Sequence, residues 1–131
     1  MKFKLWYYKS IDNKFYKEGE IVRACSSINN TNNEGLIVCY ISDINNFESN
    51  LNEICEELEK TEDSGLDGQV WGADFLKDKV HIFWLFDSNN EEGKAEISRK
   101  GMLKLMKKGI EFRKKKIPKN YEEYEEIIEV D

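Results

Sequence analysis

The sequence predicts an α+β fold, a single, mainly antiparallel sheet of about five strands with helices packed on one face, in the order β-α-β-α-β-β-β-α-α. Three observations predict it. Strand signals at 69–76, 80–87 and 94–97 follow one another across short turns, and such a run demands an antiparallel meander. Apolar residues return at helical spacing in several separate windows. The 131 residues are 40% apolar and 12% aromatic, enough to fill one core, so 1–131 reads as a single α+β domain.

Each element has its own signal. Residues 2–8 alternate, with Phe3, Leu5 and Tyr7 on one face and Lys4, Trp6 and Tyr8 on the other, the pattern of a strand. A polar turn through Asp12 and Asn13 follows. Ile21, Ala24, Cys25 and Ile28 then recur at i, i+3, i+4 and i+7, which predicts a short amphipathic helix ended by the Asn-rich stretch 29–35. Residues 36–42 are apolar on both faces and predict a central, doubly buried strand. A second helix is expected over 46–59, with Phe47, Leu51, Ile54, Cys55 and Leu58 as its stripe and Glu53 and Glu56 opposite.

The next two strands form a hairpin. If it closes on Lys77-Asp78, Asp74 lies directly opposite His81. After the short strand at 94–97, Ser98 is a natural N-cap for a long helix to about Lys116, stopped by Pro118. Asn120 with Glu123 resembles a capping box and predicts a final acidic helix, turning Tyr121, Tyr124, Ile127 and Ile128 inward.

Charge is sorted along the chain. The net charge is −6, yet residues 43–67 hold nine acids against Lys60, residues 94–119 hold eleven Lys or Arg against Glu96 and Glu111, and residues 120–131 hold six acids and no base. Blocks of this kind either steer partners or face each other inside the fold.

Little points to reaction chemistry. Cys25, Cys39 and Cys55 lack the paired spacing of a disulfide framework or zinc cluster and read as small interior side chains in a reducing compartment. A carboxylate beside His81, the sole histidine, would orient the imidazole, but no nucleophile or further ligand is placed to converge on it. Glu92-Gly93-Lys94 after Asp87 has the E-x-K spacing of some metal-dependent nucleases, but it lies on a glycine turn, a poor scaffold for a metal. Phosphate-binding glycine loops and calcium-loop spacing are absent. No catalytic, metal or cofactor residues are therefore expected. The N-terminus lacks the h-region of a signal peptide, and the longest apolar run, 36–41, is far short of the roughly 20 residues of a membrane span, so a cytoplasmic protein without membrane contact is expected.

What remains is binding through a surface. On the hairpin, Trp71, Ala73, Phe75, Val80, Ile82, Trp84 and Phe86 share one apolar face, the expected core side. The other face carries Val70, Gly72, Asp74, His81, Phe83 and Leu85, a mixture suited to an interface, and Trp6 and Tyr8 would extend it if the first strand joined the same sheet. The acidic C-terminal helix could instead cover it. The carboxylates of the second helix and the loop after it form a second candidate surface, able to imitate a nucleic-acid backbone.

The hairpin Trp71-Gly72-Ala73-Asp74-Phe75-Leu76-Lys77-Asp78-Lys79-Val80-His81-Ile82, followed by Glu96-Ile97-Ser98 and a long helix, resembles small immunity proteins of bacterial contact-dependent and polymorphic toxin systems, over roughly residues 68–118. The resemblance implies a small cytosolic α+β protein that binds and blocks one cognate toxin domain, often a nuclease. It transfers no binding residues. From the residues themselves, the candidate contacts are Glu53, Glu56, Glu57, Asp63 and Asp67 in the acidic patch with Asp74 and Phe83 on the sheet. The competing class is a small RNA- or nucleic-acid-binding domain using the sheet face and the basic helix. The net charge of −6 and the lack of an RNP-like motif argue against nucleic acid. Nothing in the sequence signals an oligomeric state.

Overall fold

Alternation in the first strand is fulfilled in the computed structural model, which describes residues 1–11, 17–45 and 50–131. β1 (Lys2–Lys9) buries Phe3, Leu5 and Tyr7 and leaves Lys2, Tyr8 and Lys9 outside. It is the middle strand of a three-stranded antiparallel sheet, sheet 1, between β2 (Ile21–Ser27) and β7 (Glu125–Glu129). Sheet 2 is a separate antiparallel sheet of four strands in the order β3 (Ser64–Gly65), β4 (Trp71–Phe75), β5 (Lys79–Trp84) and β6 (Ala95–Ser98). Among the described residues, three helices, α1 (Asn32–Asn45), α2 (Asn50–Glu59) and α3 (Arg99–Lys114), complete the α+β fold.

The expected single sheet of about five strands is thus two sheets, and three elements change type. Residues 21–28 do not form a helix. Ile21 to Ser27 pair in full register with β1, from Phe3 opposite Ser27 to Lys9 opposite Ile21, because a β-branched start and a free neighbouring strand outweigh a helical repeat only two turns long. Residues 36–42 are not a strand but the middle of α1. Thr31 accepts the Glu34 N–H at 3.2 Å while its own hydroxyl donates to the Glu34 carboxylate at 3.0 Å, a Thr-x-x-Glu cap that starts the helix ahead of the apolar run. The final helix is absent as well. Asn120 makes no side-chain cap, a 3-10 turn spans Tyr121–Glu123, and β7 then alternates, with Ile128 and Val130 buried and Ile127 outside.

Other expectations hold. The β4–β5 hairpin has Phe75 opposite Val80 and Asp74 opposite His81, and Leu76 N–H donates to the Lys79 carbonyl at 2.8 Å. Ser98 caps α3, accepting the Gly101 N–H at 2.9 Å. The turn at Asp12 and Asn13, and Asn46 with Phe47 at the start of the second predicted helix, lie outside the described residues. Phe86, expected inside, is 72% exposed beyond the end of β5, and Cys39, also expected inside, is exposed on α1.

Both sheets feed one core. Phe3 and Ile128 of sheet 1 join Phe75, Val80, Ile82 and Ile97 of sheet 2 through Ile37, Tyr40 and Ile44 of α1, Ile54 of α2 and Met102 and Leu105 of α3. Each such side chain removed from water contributes about 1.5–3 kcal/mol. Polar pins fix α1 between the sheets. The buried Glu34 accepts the Lys2 N–H of sheet 1 at 3.0 Å, and the adjacent Asn33 exchanges two hydrogen bonds with the backbone of Glu96 on β6. At the other end of the helix, the buried Asp43 accepts the N–H groups of Val70 and Trp71, and a Cβ at Gly68 would collide with its carboxylate.

Arg99 joins α2 to α3. Its guanidinium is buried without a carboxylate and donates to the carbonyls of Glu57, Leu58, Lys60, Glu62 and Leu76 at 2.8–3.1 Å. A positive charge at the carbonyl-rich end of α2 complements the helix dipole as well as satisfying its last carbonyls.

Candidate functional site

Strand alternation builds the site. In β4, β5 and β6 the residues Ala73, Phe75, Val80, Ile82, Ala95 and Ile97 point into the core. The intervening positions Gly72, Asp74, His81, Phe83 and Glu96 therefore face outward, with Gly72 opposite Phe83 and with Asp74, His81 and Glu96 in one cross-strand row. The outward side chains border an open groove of about 700 Å³ with Asn33, Ser88 and Glu91.

Glu96 organises the polar half of this face. Its carboxylate lies 2.7 Å from Lys79 Nζ and 3.6 Å from His81 Nε2. The hydrogen bond from Lys79 holds the Glu96 carboxyl below the usual carboxylate range. Among the described residues the carboxylate that reaches the imidazole is thus that of Glu96, not Asp74, although Asp74 is the direct cross-strand neighbour on the other side. The sequence held no signal for this, because it depends on the register of β6. Among the described residues, no cluster of three or more His, Cys, Asp or Glu side chains could hold a metal ion.

The apolar half is built around a missing side chain. A Cβ on Gly72 would stand 2.8 Å from the Phe83 ring and 2.6 Å from Asp67 Oδ1. Gly72 therefore provides the floor on which the Phe83 ring lies, with the Asp67 carboxylate beside it, an arrangement in which an aromatic side chain shields a strand glycine. Phe83 is half-buried, while Asp67 and Asp74 are exposed.

The seven candidate contacts separate accordingly. Asp67, Asp74 and Phe83 come together on the outer face of sheet 2. Glu53 and Glu56 are exposed on α2, and Asp63 is exposed in the loop leading to β3. Glu57 has structural duties: it pairs with Lys60 at 2.8 Å, its carboxyl is lowered first by that hydrogen bond, and its carbonyl receives Arg99. Trp6 and Tyr8 belong to sheet 1 and add nothing to this face. The acidic C-terminal segment does not cover it either, since β7 pairs with β1 in the other sheet.

The Glu-x-Lys motif disperses. Glu91–Gly93 forms a 3-10 turn, and Lys94 pairs with Glu91 at 2.9 Å. Part of the basic block is paired within the chain at the surface, where Lys107 meets Glu59 at 2.9 Å and Lys115 meets Glu126 at 2.8 Å. Among the described residues, no helix is long and apolar enough to cross a membrane.

A family profile, "Family of unknown function (DUF5376)", matches residues 1–131. The chain belongs to this family. No curated protein and no solved structure matches it. The DUF5376 match takes in both sheets, so β1 and β7 are as much part of the family's extent as the hairpin that carries the outer face.

Proposed function

We propose that this DUF5376 protein acts by presenting a surface, as an immunity-type protein that binds and occludes a cognate bacterial toxin domain, a nuclease with a basic cleft. The observation that carries the reading is the outer face of sheet 2. It sets Asp67, Asp74 and Glu96 around a half-buried Phe83, with the C-terminal acidic strand committed to the other sheet. An aromatic anchor ringed by carboxylates suits a basic enzyme cleft: the ring supplies buried area and the charges supply orientation and association rate. The exposed Glu53 and Glu56 of α2 extend the same sign of charge.

Nucleic-acid binding has one observation in its favour, the shallow groove on α3 lined by Lys100, Lys104, Lys107 and Lys108. Three of these are already engaged, Lys104 by the Glu129 carbonyl, Lys107 by Glu59 and Lys108 by Glu111, and on the aromatic sheet face Lys79 is paired with Glu96.

The test begins with the neighbouring gene, which should encode a large secreted protein ending in a small toxic domain, and continues with co-expression of that domain and this chain. Growth should be rescued by the wild-type chain and lost when Phe83→Ala and Asp74→Lys are combined, with the variant still folded. Failure of the wild-type chain to rescue growth or to bind that domain would overturn the reading, and salt-sensitive RNA retention would favour the α3 groove instead.

A further inference from the structure

The outermost strands of a sheet keep one row of backbone groups available for pairing. In sheet 2 these rows are taken or short: Asn33 occupies both the N–H and the carbonyl of Glu96 on β6, and β3 is only two residues long. β7 has five residues, lies at one end of sheet 1, and meets no strand on its far side. Met1 and Val130 exchange both backbone hydrogen bonds, so alternation gives Ile128 and Glu126 the bonded positions toward β1. The N–H and carbonyl groups of Glu125, Ile127 and Glu129 therefore point away from β1. Among the described residues, only the Glu129 carbonyl of this row has a partner, Lys104 Nζ at 2.7 Å.

The side chains of the same three residues share the outer face of sheet 1. All are exposed, Ile127 by 52%, and neither Glu125 nor Glu129 enters any of the ion pairs among the described residues. Ile127 stands opposite Lys4, and Glu125 opposite Trp6. Trp6, Ile28 and Ile127 line a shallow groove there with Lys4, whose ammonium lies 4.7 Å from the centre of the Trp6 ring. The far side of β7 thus offers unpaired backbone groups, one apolar step and a carboxylate on either side of it. A second copy of the chain is a poor occupant. Antiparallel pairing of two β7 strands about Ile127 would set each Glu125 directly against the other copy's Glu129, like charge on like.

We infer that the far side of β7 takes up an extended basic segment of another protein as an added strand, with lysine or arginine opposite Glu125 and Glu129 and a small apolar side chain opposite Ile127. Strand addition draws its affinity from main-chain hydrogen bonds and its specificity from alternate side chains. Here the alternate positions read acidic, apolar, acidic on one face, so the two carboxylates select the sign of charge and speed the encounter. An acidic segment is repelled at both ends, and a neutral one forgoes both charge pairs. This surface belongs to sheet 1, away from the outer face of sheet 2, and is independent of the toxin-binding reading.

NMR titration of the full chain with the end-capped peptide Thr-Lys-Thr-Val-Thr-Lys-Thr, a palindrome that fits in either direction, tests it against the same peptide with glutamate in place of lysine. At saturation with the lysine peptide, amide hydrogen exchange at Glu125 and Ile127 should slow at least about tenfold, and the glutamate peptide should bind at least about tenfold more weakly. Ile127→Pro deletes one outward N–H at a position where an outermost strand tolerates proline. It should weaken the lysine peptide at least about tenfold with the circular dichroism spectrum unchanged. Glu125→Lys combined with Glu129→Lys, on two exposed side chains, should reverse the preference between the peptides, and it decides the matter if the proline variant fails to fold. Absence of lysine-peptide binding at millimolar concentration, equal binding of both peptides, an unchanged preference after charge reversal, undiminished binding by folded Ile127→Pro, or a wild-type dimer paired through β7 would overturn the proposal.

Discussion

The Asp43 carboxylate accepts the backbone N–H of Trp71 at 2.9 Å, and the same oxygen accepts that of Val70 at 2.8 Å, so a helix side chain supplies acceptors to the start of β4. Removing it leaves two shielded donors. Asp43→Ala should lower unfolding stability by about 3 kcal/mol. Asp43→Asn, which keeps one acceptor oxygen, should cost clearly less. Urea unfolding midpoints at constant slope decide this, and equal losses in the two variants would show that the hydrogen bonds are not the source.

Glu34 predicts an acid-sensitive fold. Burial pushes its carboxyl up, but the Lys2 N–H and the hydroxyls of Thr31 and Ser27 outweigh burial and bring it below its ordinary value. With the folded value below the unfolded one, the unfolded chain binds more protons. The stabilisation is present above the unfolded pKa and is lost as pH falls through the folded pKa. Glu34→Gln should be less stable than wild type at neutral pH and show a flatter decline under acid. Thermal midpoints across the acid range check it, and parallel curves would refute it.

Arg99 should tolerate no substitute. Lysine keeps the charge but has three donors on a point-like head, too few to serve five carbonyls spread over α2, the loop after it and Leu76. Arg99→Lys should cost about 2–3 kcal/mol in guanidinium unfolding. A loss within experimental scatter would mean that water takes over the carbonyls.

Gly72 links packing to the proposed partner face. Gly72→Ala puts a methyl group where the Phe83 ring and Asp67 lie, and the ring must move. We expect a stability loss of about 1–3 kcal/mol, in the range of overpacking, together with weaker binding of the toxin domain. Asp74→Lys alone, on an exposed side chain, should change stability by less than about 0.5 kcal/mol while slowing association. Stopped-flow rates at two salt concentrations separate these effects.

The parts of the fold that were legible in the sequence are those whose pattern has one solution. The β4–β5 hairpin alternates over two consecutive strands with a polar turn between them, which fixed even Asp74 against His81. Ser98 and the apolar stripe after it marked α3. The segments at 21–28, 36–42 and 120–131 are short or apolar on all sides, and such stretches fit either period. Thr31 and Glu34 were the overlooked clue to α1, a cap standing three residues apart ahead of an apolar run. The division into two sheets was not legible, because it rests on β1 choosing β2 and β7 as neighbours, a pairing between segments far apart along the chain. Hairpin alternation made Asp74 and Phe83 legible as outward-facing positions, whereas the arrival of Asp67 from the acidic loop beside Phe83 and of Glu96, which needs the β6 register, was not legible.

The placement of β1 between β2 and β7 has a consequence for synthesis. Until β7 has been translated, β1 can pair only with β2, and Phe3 and Leu5 wait for Ile128 and Glu126 to emerge. Nascent molecules therefore carry an open strand edge beside unfilled core positions until translation has passed β7, an interval in which chaperone capture and mispairing with neighbouring chains compete with closure.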